Sequence, residues 1–184
     1  MRARSMLLAA TLALLARPAG AADFTVSSAD IANGGHLPAD HVFNGFGCAG
    51  ANRSPALAWS GAPAETKSFA VTVYDPDAPT GSGWWHWVVI NLPAGTTGLP
   101  TGAGDPGGAL LPAGAVQGRT DFGTAGYGGA CPPAGDPAHR YIFTVHALNV
   151  ETLEVPADAS PALIGFMLNG TRIARTSLTA YYAR

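Results

Sequence analysis

Charge is scarce in this 184-residue chain, with only 12% of positions occupied by Asp, Glu, Lys or Arg. Its ten basic side chains form no cluster. That argues against a large nucleic-acid footprint, which needs Lys and Arg gathered on one face, and against an electrostatic grip on an anionic membrane. Cysteine is nearly absent: only Cys48 and Cys131 occur, at a spacing that fits neither a thioredoxin-type pair nor a zinc cluster. No His-x-x-x-His pair supports a metal site. A Gly-x-Ser-x-Gly elbow is missing, so a Ser/His/Asp hydrolase has no anchor in the pattern. Asp121-Phe122-Gly123 imitates the kinase metal-binding triplet without the rest of that signature. Beyond the N-terminus, no apolar run is long enough to span a bilayer. No internal repeat and no domain boundary are visible.

The N-terminus reads as an export signal. Arg2 and Arg4 precede an apolar stretch from Met6 to Ala16, and Ala19-Gly20-Ala21 has the small-x-small form of a cleavage site. Residues 1–21 are therefore expected to be removed, leaving 22–184 as a single domain that is periplasmic or secreted. Losing Arg2, Arg4 and Arg17 from the ten basic residues leaves seven against twelve acidic ones, a formal charge of −5. An anionic ligand must then be held by local geometry. In an oxidising compartment Cys48 and Cys131 can form a disulfide, which would contribute about 4 kcal/mol in the chain-entropy model. Two separate thiols are the alternative.

What the chain has in plenty is β-pattern and glycine. Phe24 to Val26 and Leu57 to Trp59 are short β-type runs. From Ser68 to Tyr74, Phe69, Val71 and Val73 alternate with Ala70, Thr72 and Tyr74, as expected for a strand. Trp85 to Leu92 is nearly continuous in apolar residues and predicts a strand buried on both faces. Arg140 to Leu148 and Ser177 to Tyr182 alternate again. Ser160-Pro161 predicts a capped helix that runs through Leu163, Ile164, Phe166 and Met167 and stops at Asn169-Gly170. Half of the 24 glycines lie between Ala94 and Ala130. Leu110-Leu111, Phe122 and Tyr127 mark that stretch as an ordered excursion. The sum is a mainly β fold of packed sheets.

Two clusters at strand ends carry the chemistry. Tyr74-Asp75-Pro76-Asp77-Ala78-Pro79 leaves one strand and Trp84-Trp85-His86-Trp87 opens the next, while His139-Arg140-Tyr141 opens a third. Asp75 and Asp77 either bond nearby backbone N–H groups in a turn or orient the His86 ring. His86 alone reads as a core histidine, and His139 alone as an exposed one at a strand start. His36, His41 and His146 have no distinguishing context. If the first two converge, imidazoles, glycine-loop amides and a tyrosine can hold phosphate or a carboxylate without lysine.

These segments, with Phe43-Asn44-Gly45-Phe46-Gly47-Cys48, Asn52-Arg53-Ser54-Pro55 and Gly126 to Pro133, resemble the phosphatidylethanolamine-binding protein family, in its bacterial Raf-kinase-inhibitor-like branch. The resemblance implies an antiparallel β-sandwich-like fold with one or two peripheral helices. It also implies a non-enzymatic anion pocket for phosphate, phosphoethanolamine or a phospholipid head group. By motif its lining is Asp75, Asp77, His86, Cys131, Pro132, Pro133, His139 and Tyr141, with no cofactor and no metal. Pro79 becomes a candidate cis-proline. Ala130 stands where bacterial relatives often have proline. The eukaryotic C-terminal gating helix has no counterpart, so kinase inhibition does not carry over. Two other readings stay open: an interaction or inhibitor module for a phosphorylated or acidic partner, and a hydrolase or metal enzyme.

Overall fold

The computed structural model describes residues 23–184, so the expected leader lies outside the described residues. The chain begins with β1 (Thr25–Ser27), a 3-10 turn at Ala39–His41, and a small hairpin of β2 (Asn44–Gly45) and β3 (Cys48–Ala49). Then come β4 (Leu57–Ser60), β5 (Ser68–Asp75), β6 (Trp84–Pro93), β7 (Gly98–Leu99) and β8 (Val116–Gln117). The last elements are β9 (His139–Leu148), helix α1 (Pro161–Thr171) and β10 (Arg172–Tyr182). Five antiparallel strands form the main sheet in the order β10-β9-β5-β6-β8, and β1-β4-β7 form a second sheet. The architecture is the mainly β, sandwich-like one read from the sequence.

Alternation decides which side chains meet. Phe69, Val71 and Val73 of β5 join Trp87 and Val89 of β6 and Phe143 and Val145 of β9 on one face. There they pack against Leu57, Trp59 and Leu99 of the smaller sheet. On the opposite face Ala70, Val88, Ile90 and Leu148 meet Ile164 and Leu168 of α1. The central strands are thus apolar on both sides, which accounts for the unbroken run in β6.

Ser160 caps α1 as expected, its hydroxyl accepting the Leu163 N–H at 3.1 Å. The helix does not stop at Asn169-Gly170. It continues to Thr171, whose hydroxyl donates to the Met167 carbonyl and whose own carbonyl accepts the Asn149 N–H. Arg172 then turns directly into extended backbone, so the closing strand starts there and not at Ser177. β10 is the edge of the main sheet and is bonded on its outer side only near Thr179 and Tyr181, by residues 34–37, so its first half is half solvated and its arginines hide the apolar period.

The glycine-rich excursion is ordered because it lies along β6. Its amides at Gly118, Asp121 and Gly128 donate to the carbonyls of Val88, Trp85 and His86. Leu110 is nevertheless exposed, while Leu111 packs against the core. Cys48 and Cys131 are bonded, with Cα atoms 6.0 Å apart, which ties the β2–β3 hairpin to this loop.

Two predictions follow from the layer under α1. Ile164 is 1% exposed whereas Phe166 is 72% exposed, so Ile164→Ala is expected to cost about 2–5 kcal/mol in urea unfolding and Phe166→Ala less than about 0.5 kcal/mol. The second concerns His146 on β9, whose Nε2 lies 3.0 Å from Thr72 Oγ1. Burial, reinforced by Arg172 and Arg175, pushes its pKa from 6.5 down to about 3. The unfolded chain binds this proton and the folded chain does not. Stability is therefore complete at neutral pH and falls with acidification below about 6.5, by up to about 1.4 kcal/mol per pH unit. Denaturation midpoints from pH 7 to 5 should flatten in His146→Gln, and an unchanged slope would contradict this assignment.

Candidate ligand cavity

Asp75 closes β5 and is 2% exposed. Its Oδ1 accepts the N–H groups of Asp77 at 2.8 Å and Ala78 at 3.1 Å, the turn predicted as one alternative. Its Oδ2 lies 2.8 Å from His139 Nδ1. The orienting role is therefore real but falls on His139, not on His86. Asp77 faces away. It chelates the Arg140 guanidinium at 2.7 and 2.9 Å and accepts the Arg140 N–H, and this pairing holds its carboxyl down at about 2. The turn through Pro79 needs no cis bond, since the Asp75 carboxylate closes it, and none occurs among the described residues.

His86 owes its position to a bulge. Val73 pairs with Trp87 and Tyr74 with Trp85, so His86 is the extra residue between them. Such an insertion frees backbone groups from the ladder and re-aims the side chain. The freed His86 carbonyl accepts the Gly128 N–H at 2.8 Å, and Nδ1 lies 2.7 Å from the Gly128 carbonyl. A carbonyl only accepts, so Nδ1 carries the hydrogen. Burial pushes the His86 pKa below 6.5, against the pull of the Gly128 carbonyl and the Asp75 charge. The ring is neutral, with its Nε2 lone pair as an acceptor.

The glycine loop approaches closely because Gly128 and Gly129 have no Cβ. One at Gly128 would strike the Phe122 ring, and one at Gly129 the backbone of residues 41–43. The amides expected to face an anion are engaged elsewhere: Gly128 N–H on His86 and Gly129 N–H on the Asn52 side chain at 2.7 Å. Those two do not form a nest.

A cavity of about 230 Å³ results. Asp75, His86, Cys131, Pro132, Pro133, His139 and Tyr141 all line it, and Asp77 does not. Tyr141 is 1% exposed, and its hydroxyl has no hydrogen-bond partner in the protein. Burial drives its pKa upward, so it stays a neutral donor. The Tyr141 and His86 rings meet edge-on at 5.1 Å.

Sequence reasoning missed several lining residues. Phe46, Trp84 and Phe122 form an aromatic wall, with the Phe43 ring tilted against Phe46 and Phe122 behind it. Of these, Phe122 lies in the Asp121-Phe122-Gly123 triplet. Asp121 in fact accepts the Trp85 N–H at 2.7 Å and so fixes Phe122 beside the cavity. Asp136 was also missed, and its Oδ2 lies 3.4 Å from His139 Nε2. Arg184 pins the rim through the carbonyls of Pro132 and Phe46. No group of three His, Cys, Asp or Glu that could hold a metal occurs among the described residues.

Comparison with known proteins identifies the family and the fold. Residues 27–183 match the phosphatidylethanolamine-binding protein family. The chain is 55% identical to the YbcL protein of Escherichia coli K12 over 179 residues, covering 97% of this chain and 98% of that one. It is 56% identical to YbhB of the same organism, over 85% of this chain and 98% of YbhB. The crystal structure of Escherichia coli YbcL, described as a member of the mammalian family, superposes with a TM-score of 0.87 at 58% identity, over 89% of this chain and 99% of that chain. A Mycobacterium tuberculosis protein named as the lipoprotein LppC is 38% identical over 78% of this chain and 64% of its own length. This chain belongs to the phosphatidylethanolamine-binding protein family.

Proposed function

We propose that the protein is an exported, non-enzymatic binding protein whose cavity takes the phosphoryl group of a small phosphate monoester such as phosphoethanolamine. The observation that carries this reading is the buried, unpartnered Tyr141 hydroxyl in a cavity shared by His86 and His139. An unsatisfied buried hydroxyl costs about 1–3 kcal/mol, and an acceptor oxygen on a ligand removes that cost. The donor and acceptor pattern selects the ligand further. His86 Nε2 accepts, so it suits a P–OH group. Tyr141 O–H donates, so it suits an anionic oxygen, and His139 Nε2 suits a second one when that ring holds a hydrogen on each nitrogen, with the ligand displacing Asp136 from it. A singly protonated phosphate monoester meets all three demands. Export is supported by the leader-like N-terminus, the disulfide and the lipoprotein relative.

Tyr141→Phe removes one oxygen and keeps the ring. The variant is expected to unfold at equal or higher urea concentration, because the orphaned group is gone, and to bind phosphoethanolamine about tenfold or more weakly by calorimetry. Equal affinity would sink the reading. Binding should also weaken as pH rises from about 6 to 8, where the phosphate monoester loses its second proton and with it the P–OH that faces His86 Nε2. An affinity that is flat over this range would show that no proton accompanies the ligand.

A further inference from the structure

A second cleft lies on the opposite face of the main sheet, beside α1. The helix covers the apolar half of that face, and next to it the floor becomes polar. Thr72, Thr144 and Ser177 stand in register across β5, β9 and β10, with His146 beside Arg175 one pair further on. The space above has a volume of about 550 Å³, and Trp85, Phe166, Arg172 and Arg175 form part of its walls.

Three observations set this cleft apart from an ordinary solvated sheet face. First, its floor is built of buried polar groups: Thr72 is 4% exposed, His146 6% and Thr144 9%. Second, two of the seven basic residues among the described residues face it, yet no carboxylate lines it in a chain with 12 acidic residues. Neither Arg172 nor Arg175 is ion-paired, whereas Arg140 is. Burial and the neighbouring Arg175 charge pull the Arg172 pKa down, so an anion between them would relieve both costs. Third, hydrogen-bond direction leaves a donor free. Arg172 Nη1 lies 3.5 Å from His146 Nδ1. A guanidinium only donates, so Nδ1 accepts and Nε2–H donates to Thr72 Oγ1. The Thr72 hydroxyl hydrogen is then directed away from the ring.

We propose that this cleft is a second binding site, separate from the Asp75/His139 cavity, for a phosphate monoester with an apolar body. Arg172, Arg175 and the Thr72 hydroxyl take the phosphoryl oxygens, since two guanidiniums match a dianion. Trp85 and the exposed Phe166 take the apolar part.

The test is an amide chemical-shift titration of the ¹⁵N-labelled protein with phenyl phosphate and, separately, with inorganic phosphate. Phenyl phosphate is expected to shift the amides of Thr72, His146, Gly165 and Arg175 in a saturating manner. Inorganic phosphate should act on this set about tenfold more weakly, because it has no ring to bury. Arg175→Gln, a change on the exposed side of an edge strand, should weaken this set about tenfold and leave the shifts of Cys131 and His139 as they were. Arg172→Gln should do the same. Shifts confined to the first cavity, equal response to the two probes, or an unchanged response in both variants would overturn the proposal. Loss of the Cys131 and His139 shifts alone would count against the first cavity and not against this one.

Discussion

One buried carboxylate connects the turn, the sheet and the cavity. Asp75 receives two backbone N–H groups on one oxygen and the His139 imidazole on the other. Taking a charge out of water costs several kcal/mol unless its lone pairs are met, and here three donors meet them. Asp75 is the last residue of β5 and His139 the first of β9, so the bond fixes the open end of two adjacent strands. It also fixes which ring nitrogen of His139 faces outward. The cavity geometry follows from that choice.

The two histidines then do different work. His86, inserted by a bulge and held by the Gly128 carbonyl, is kept neutral by burial and offers a lone pair. His139 gives its Nδ1 hydrogen to Asp75 and turns Nε2 toward Asp136 at the cavity. With carboxylates on both sides, the cavity is no positive hole. A bound anion must bring its own proton or be balanced by one, which matches the chain's overall acidity. The aromatic wall and the disulfide beside it confine this exchange to a small volume.

Much of this was legible in the residues. The alternation of Phe69, Val71 and Val73, the unbroken run of β6 and the Ser160-Pro161 start each encode a local preference that packing reinforces. The cavity lining was legible through family likeness, and all but Asp77 of the expected residues meet there. The partner of Asp75 was not legible. β5 lies between β6 and β9, and sequence proximity favours His86, eleven positions away, over His139, from which 64 positions separate it. Only the skipped residue in the β5–β6 register, invisible in an apolar run, turns His86 aside. The same limit applies to Asp77, whose partner Arg140 stands next to the expected histidine. Loop amides were misjudged because a glycine's role in close approach cannot be told from a role in anion binding until its neighbours are known.

The second face of the sheet follows from lengths. An 11-residue helix is about 16 Å long, whereas a 10-residue strand spans about 33 Å, and these are the lengths of α1 and of β6 and β9. The helix can therefore cover only about half of the strands it packs against. The uncovered half must be polar to stay in water, and Thr72, Thr144 and His146 supply that polarity in the same alternation that builds the core on the other side. Solvation alone would be met by mixed and exposed charges. Here the polar floor is buried, and the charges above it are of one sign. Like charges held about a ligand-sized gap raise the energy of the empty cleft, and an oxyanion lowers it again.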